Sequence, residues 1–273
     1  MGWALILGAS SGFGEAAARA FAQAGYDILG VHLDRRAAAE HVAALVADLQ
    51  AQGRRVVFFN GNAADDDKRE AILDEIAALV DPAGGGRVEV LLHSLAFGTL
   101  TRFVPELAAA NTAGAAGGRP AVGVSRKQLE MTLDVMANSL VYWTQGLLRR
   151  ELLGAGGRIW AMTSAGSHRV MPSYGPVSAA KAALESHCRQ LAVELAPRGI
   201  TVNAVLAGVT DTPALRKIPG HERLIEKALE ANPHGRLTTP EDVAACLVEL
   251  ARPGTAWLTG NVLRVDGGED VAG

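Results

Sequence analysis

The sequence predicts a doubly wound α/β fold, with a mainly parallel sheet of roughly seven strands covered by helices on both faces. Three observations carry this. Short β-like runs alternate with Ala-rich helical stretches along the whole chain. Several runs are nearly continuous in apolar residues, as in Val88-Glu89-Val90-Leu91-Leu92, the pattern of parallel strands buried on both faces. The 273 residues are 49% hydrophobic and 20% charged, enough for a sizeable core and incompatible with overall disorder. Unbroken βα alternation argues for a single domain over 1–273.

In chain order, strands are expected at 3–8, 26–33, 55–61, 88–95, 157–164, 199–206 and 261–266. Helices are expected at 13–24, 36–52, 65–80, 125–152, 176–197 and 240–251. The acids of Asp65-Asp66-Asp67 suit a solvated helix start, where the helix dipole favours negative charge. Thr239 is placed to cap the 240–251 helix, with Pro240 at its first position. Two segments break the rhythm. Residues 108–123 are Ala/Gly-rich and read as a mobile loop or a tolerated surface insertion. Residues 210–238 follow the sixth strand and contain an amphipathic stretch, His221 to Ala231; an insertion there reads as a substrate lid.

Charge and cysteine content narrow the setting. With 26 basic and 29 acidic side chains, a net charge of -3 gives no electrostatic case for nucleic acid or an anionic membrane as partner. No apolar run is long enough to span a bilayer, and the start of the chain lacks the basic region of a signal peptide. Cys188 and Cys246 lack metal-ligand spacing and form no disulfide framework, so a reducing, cytoplasmic setting and no metal are expected. Lysine is rare, at Lys68, Lys127, Lys181, Lys217 and Lys227 only, which singles out any lysine in a functional context.

The first strand runs into Gly8-Ala9-Ser10-Ser11-Gly12-Phe13-Gly14, which opens the first helix. Glycines there permit a tight turn and close approach of a diphosphate to the backbone, and the helix N-terminus offers N–H groups and a positive dipole end. The spacing is GxxxGxG, not GxGxxG. After the second strand, Asp34 stands beside Arg35 and Arg36. An acid suits a free ribose 2′-OH and an arginine suits a 2′-phosphate, so both NAD(H) and NADP(H) are open, with the arginine pair favouring NADP(H).

Past the fifth strand, Ser164 is followed ten residues on by Tyr174 and seven further by Lys181. Gly175-Pro176 puts Tyr174 at or just before a helix start. Positions seven apart differ by roughly 20° around a helix, so the two side chains can face one cleft. A lysine ammonium near a phenol would tune it as an acid. The chain has three tyrosines, and neither Tyr26 nor Tyr142 has a comparable setting.

The GxxxGxG turn, Ser164, the Tyr174/Lys181 helix, the Val202-Asn203-Ala204 strand and the terminal Val265-Asp266-Gly267-Gly268 together resemble the short-chain dehydrogenase/reductase family over nearly the whole chain. The resemblance implies a Rossmann domain. The departures are informative. The family's usual signature is Tyr-x-x-x-Lys, but here that position holds Val177 and the tyrosine lies one turn earlier, giving Tyr-x6-Lys. This spacing resembles the divergent branch that contains the bacterial enoyl-acyl-carrier-protein reductases. Ser164 keeps the distance to Lys181 that the family's serine keeps. His93-Ser94-Leu95-Ala96-Phe97 stands where common members have Asn-Asn-Ala-Gly, and is similar to enoyl reductases. The asparagine of the family's proton relay falls at Met136. Residues 203–216 also look like the enoyl-reductase strand and lid hinge.

What the resemblance implies is NAD(P)H-dependent reduction of the 2,3-double bond of an enoyl thioester, free or on an acyl carrier protein, as in fatty acid synthesis. Tyr174 would hydrogen-bond the thioester oxygen as it gains negative charge, Lys181 would bind the nicotinamide ribose and polarise the phenol, and Ser164 would assist Tyr174. Cofactor contacts are implied for Gly8, Ser10, Ser11, Gly12, Phe13, Gly14, Arg35, Arg36, Asn62, Ala63, Ser94, Leu95, Ala96, Lys181, Gly208, Val209, Thr210 and Thr212, and an acyl cleft for Phe97, Met171 and Tyr174. A homotetramer is implied as well. A carbonyl reductase, for instance of 3-oxoacyl thioesters, stays open because Ser164 is retained; an intact Ser/Tyr/Lys set argues against a non-enzymatic sensor. His168 reads as a solvated loop residue, and His187 and Cys188 as packing or interface residues.

Overall fold

The computed structural model describes residues 2–105 and 123–272. Seven strands form one sheet in the order β3-β2-β1-β4-β5-β6-β7. They are β1 (Trp3–Leu7), β2 (Asp27–His32), β3 (Val56–Asn60), β4 (Val88–His93), β5 (Arg158–Thr163), β6 (Thr201–Ala207) and β7 (Val262–Val265). Every neighbouring pair is parallel, so the sheet is wholly rather than mainly parallel. The strand order reverses between β1 and β4. A crevice opens outside the carboxyl ends of strands at such a switch point, and this is where α/β sheets bind ligands. The register brings Leu7 opposite both Val31 and His93, so the loops after β1, β2 and β4 leave the sheet at one level.

The helices are α1 (Gly12–Gln23), α2 (Ala39–Ala51), α3 (Asp66–Val80), α4 (Arg126–Leu133), α5 (Ser139–Arg149), α6 (Gly175–Leu195), α7 (His221–Ala231), α8 (Pro240–Leu250) and α9 (Glu269–Ala272). One face of the sheet packs with α3, α5 and α6 around Ile72, Leu140, Trp143, Leu184 and Leu191. The other packs with α1, α2 and α8 around Phe21, Leu45, Leu49, Trp160 and Val243. Each fully buried side chain of this size contributes about 1.5–3 kcal/mol relative to exposure. The near-continuous apolar strands thus follow from having a core on both sides.

Local signals act as the sequence suggested. Asp65 caps α3 by accepting from the Lys68 N–H, 2.9 Å. Thr239 and Asp242 form a reciprocal capping box at α8, with Pro240 in its first turn. The expected helix over 125–152 is different in detail. It is two helices joined by a π-helical turn, Asp134–Asn138. The Ser139 hydroxyl donates to Val135 O at 2.8 Å and so competes with the helical ladder where its pitch changes. Apolar periodicity does not record such a change. The segment 36–52 likewise begins with a 3-10 turn, Arg36–Ala38, before α2. The expected mobile loop at 108–123 lies outside the described residues except for Gly123. The 210–238 segment contains a 3-10 turn, Leu215–Lys217, and the amphipathic α7. Among the described residues, no helix is long and apolar enough to cross a membrane.

Candidate active site

The turn between β1 and α1 depends on two missing side chains. Gly8 has φ +91°, and a Cβ there would collide with Ser94 O; a Cβ at Gly14 would collide with Gly8 O. The glycines therefore let β1, the loop after β4 and the start of α1 close against one another. Ser11, the N-cap of α1, is extended and makes no side-chain capping bond, so the first-turn N–H groups carry no side-chain cap. The residues thus fit a diphosphate: a cradle too tight for side chains, facing the positive end of a helix. Ser10 is buried, and its carbonyl meets His41 Nε2 at 3.2 Å. Phe13 is partly buried against the α1 side of the core.

At the end of β2, buried His32 meets Asp34 through Nδ1 and Oδ2, 2.8 Å apart. Asn60 holds the Asp34 backbone from both sides, its Oδ1 accepting from the Asp34 N–H at 3.2 Å and its Nδ2 donating to Asp34 O at 3.0 Å. His32, Asp34, Arg35, Arg36, Phe58 and Asn60 border a cavity of about 370 Å³. Both arginines are exposed, and neither guanidinium has a hydrogen-bond or ion-pair partner among the described residues. Asn62 is exposed and uses Oδ1 to accept from the Ala64 N–H, while Ala63 is buried with its carbonyl taken by Trp143 Nε1.

Ser164 follows β5 and Tyr174 is the N-cap of α6. Their hydroxyl oxygens lie 3.3 Å apart. A Cβ at Gly166 would collide with the Tyr174 ring and stand 2.7 Å from Met171 Cε, so this glycine makes room for both. Ser173, just before the tyrosine, has φ +59°, a left-handed conformation that costs a non-glycine residue about 1–2 kcal/mol. Such strain is held at sites that fix a side chain's direction. Tyr174 is 8% exposed, and burial pushes its phenol above the ordinary range against the opposing effect of the Ser164 hydrogen bond.

Lys181 sits two turns along α6, 5% exposed. Its ammonium donates to Met162 O at 2.6 Å and to Leu95 O at 3.5 Å, and so ties α6 to the ends of β5 and β4. Burial lowers its pKa to about 8. No hydrogen bond joins Lys181 to Tyr174; the expected polarisation of the phenol by this lysine is not a direct contact.

The two positions that depart from the common family pattern, Met136 and Val177, border one place beside Gly98. A Cβ at Gly98, in the loop after β4, would lie 2.6 Å from Met136 Sδ and 3.0 Å from Val177 Cγ2. Both side chains are buried, so an apolar contact occupies this place. Alongside, fully buried His93 pairs with Ser139 at 2.8 Å. The Ser139 hydrogen goes to Val135 O, so His93 Nε2 is the donor, and burial first, then the Lys181 charge, lowers its pKa to about 3.

Ser94, Leu95 and Ala96 line the same loop, with the Ser94 N–H on Leu7 O at 2.8 Å. Phe97 is 57% exposed, and Met171 is partly buried beside the tyrosine. Phe103, a residue the sequence reading missed, packs its ring against Gly175, where a Cβ would lie 2.7 Å from Cζ. Nothing local in the sequence marks it. The loop after β6 returns over the cradle: Thr210 and Thr212 are buried, and Thr212 Cγ2 lies 3.4 Å from where a Gly12 Cβ would be. Its Gly208 leaves room for Thr238 and Glu269, and the Val209 N–H is held by the Glu269 carboxylate. His168 is not simply a solvated loop residue: its Nε2 meets Asp270 Oδ1 at 3.1 Å. His187 bonds Asn138 at 3.0 Å, and Cys188 is buried. No cluster of three or more metal-ligating side chains occurs among the described residues.

Comparison with known proteins agrees with this geometry. The family model described as Enoyl-(Acyl carrier protein) reductase matches residues 8–269. An NADH-dependent enoyl-[acyl-carrier-protein] reductase of Aquifex aeolicus is 32% identical over 188 residues, covering 69% of this chain and 64% of that protein, somewhat under two thirds of its length. The crystal structure of an Aquifex aeolicus enoyl-[acyl-carrier-protein] reductase superposes with a TM-score of 0.81 at 25% identity, over 100% of this chain and 97% of that one. A 3-oxoacyl-[acyl-carrier-protein] reductase of Thermotoga maritima is 27% identical over 97% of this chain and 96% of that protein. A short chain dehydrogenase of Burkholderia cenocepacia, in complex with NADP, has a TM-score of 0.78 at 27% identity, over 98% of both chains.

Proposed function

The chain belongs to the short-chain dehydrogenase/reductase family, in its enoyl-acyl-carrier-protein-reductase-like branch, and on that premise we propose that it reduces the 2,3-double bond of an enoyl thioester with NAD(P)H. The cradle of Gly8, Gly12 and Gly14, with Ser10, Ser11 and Phe13, would hold the diphosphate. Ser94 to Ala96 and the 208–212 loop would flank the remainder, and Lys181 would take the nicotinamide ribose. When bound, NAD(P)H would supply hydride to the substrate's β-carbon as the 2,3-π pair moves onto the thioester oxygen, and a solvent-derived proton taken up at the α-carbon would complete the reduction.

The chain's own groups manage the charge that results. Tyr174, kept protonated by burial, donates to the thioester oxygen as negative charge gathers there; a preorganised donor of this kind is worth about 10²–10³ in rate. Ser164 holds the phenol in position. Phe97, Phe103 and Met171 offer apolar surface to the acyl chain.

The observation that carries this reading is that Met136 and Val177 both border the space beside Gly98. The positions that serve proton delivery to a carbonyl in common family members are filled by two apolar side chains, and the tyrosine hydroxyl, bonded to Ser164, stands instead at the N-cap of α6. A second reading, reduction of a 3-oxoacyl thioester, draws support from the Ser164–Tyr174 hydrogen bond and from the Thermotoga maritima relative.

Moving the phenol separates them. The double variant Tyr174→Phe/Val177→Tyr should lose turnover of a 2-enoyl thioester. Retention of full enoyl-reducing activity would return the carbonyl reading to equal standing. NADP(H) is the proposed preference, supported by the exposed guanidiniums of Arg35 and Arg36, which have no partner among the described residues, and by the His32 contact that engages Asp34.

A further inference from the structure

We infer that the last helical turn, α9, is a clamp that positions both walls of the active site, with Glu269 holding the cofactor side and Asp270 holding the catalytic side. The inference rests on the reading that Ser164, Tyr174 and the 208–212 loop form the reaction site, and it adds two positioning residues that touch neither substrate nor cofactor.

The chain reaches this place by a sharp reversal after β7. Gly267 and Gly268 both adopt positive φ, +62° and +88°, a conformation glycine takes without steric cost. Asp266 pins the turn: its carboxylate accepts from the Gly268 and Asp270 N–H groups, both at 2.9 Å, and its carbonyl accepts from Asn232 Nδ2 at 3.0 Å. The next two side chains then diverge to opposite loops.

Glu269 turns to the loop after β6. Its two oxygens lie 3.2 and 3.1 Å from the Val209 nitrogen, and Oε2 stands 2.9 Å from where a Gly208 Cβ would be. This is the loop whose Thr212 leans on Gly12 of the cradle. Asp270 turns to the segment between Ser164 and Tyr174. Its nearly buried carboxylate receives His168 Nε2 at 3.1 Å, Arg169 Nε at 2.9 Å and Arg264 Nε at 2.9 Å, and Arg169 also donates to the Asp270 carbonyl. Charge-assisted bonds of this kind are shorter and stronger than neutral ones. A single carboxylate thus ties β7, through Arg264, to the two residues that lead from Ser164 toward the strained Ser173–Tyr174 turn. A helix end that only closed the fold would need neither tether.

The tethers act on different quantities. The Ser164–Tyr174 separation of 3.3 Å is longer than the usual range of roughly 2.5–3.0 Å for hydroxyl hydrogen bonds. A misplacement of about 1 Å at a reacting group can cost roughly 10²-fold in rate. Loss of the Asp270 tether should therefore lower kcat, while loss of the Glu269 tether should loosen the loop over the cradle and weaken cofactor binding. Two adjacent residues then give opposite signatures.

The test compares Asp270→Ala and Glu269→Ala in the full chain, using NADPH fluorescence titration, amide hydrogen exchange, and turnover of a short 2-enoyl-coenzyme A. Asp270→Ala should speed exchange across 165–174 and lower kcat at least about tenfold, leaving the NADPH Kd within about twofold. Glu269→Ala should speed exchange across 208–214 and raise the NADPH Kd several-fold, with a smaller effect on kcat. Glu269→Gln, which keeps an acceptor for Val209, should restore most of the affinity. Equal losses in both variants, or unchanged exchange in both loops, would overturn the clamp. The exchange and Kd measurements need no thioester. If wild type fails to turn over the enoyl substrate, the functional reading falls while these two measurements still decide the clamp.

Discussion

Ser164 Oγ lies 3.3 Å from the Tyr174 hydroxyl, joining the end of β5 to the first residue of the α6 helix cap. The bond makes the serine a support for the phenol, and it sets the first prediction. Tyr174→Phe should reduce kcat by about 10²–10³ with little change in NAD(P)H affinity, and Ser164→Ala should cost less. Steady-state kinetics with fluorescence titration of the cofactor checks both. More than half the wild-type rate in Tyr174→Phe would remove the phenol from its assigned role.

Lys181 carries a pH signature of its own. Burial lowers its pKa to about 8, so the ammonium is present below that value and lost above it. If the charge binds ribose hydroxyls, NAD(P)H affinity of the free enzyme should weaken as pH rises through about 8. Lys181→Gln should bind more weakly at pH 7 and show no such inflection. A wild-type Kd that is flat from pH 7 to 9 would deny the ammonium this role.

His93 should matter to stability rather than to proton transfer. Its folded pKa of about 3 lies below the ordinary 6.5. A depressed folded pKa means the neutral form is favoured by folding. The contribution is therefore full above 6.5 and is lost as pH falls toward 3, on the order of several kcal/mol in total. Thermal unfolding of His93→Gln should show a shallower loss of Tm between pH 6.5 and 4 than wild type. Parallel slopes would contradict this.

The loop after β2 is the cofactor-selecting element of the account. The double variant Arg35→Ala/Arg36→Ala should raise KM for NADPH more than for NADH, because both guanidiniums are exposed and, among the described residues, without a partner that would compete with a 2′-phosphate. Equal effects on both cofactors, or an NADH-preferring wild type, would assign selection to Asp34 instead.

Much of this was legible in the sequence, for identifiable reasons. Strands with a core on both faces are written as apolar runs, and in the first turn Gly8 and Gly14 are required by backbone atoms that a Cβ would strike, while Gly12 is favoured by its positive φ of +54°. Tyr174 at the cap of α6 and Lys181 two turns along it could be placed from the sequence because spacing fixes direction on one helix, although no hydrogen bond joins the two. What escaped were contacts between segments far apart in the chain. The Asp270 tether spans 102 residues to His168, so His168 read as solvated. Phe103 meets Gly175 through tertiary packing alone. The π-turn at Asp134–Asn138 is flanked by the Ser139 hydroxyl, which bonds Val135 O and meets His93 from another element, and neither bond alters the apolar period.

The most direct test is a side-by-side assay of purified protein with a 2-enoyl thioester and a 3-oxoacyl thioester, following oxidation of NADPH and of NADH. The account predicts that kcat/KM for the enoyl substrate exceeds that for the 3-oxoacyl substrate by at least about tenfold, a difference of about 1.4 kcal/mol in transition-state stabilisation. Faster reduction of the 3-oxoacyl thioester, with the enoyl thioester left unreacted, would contradict it.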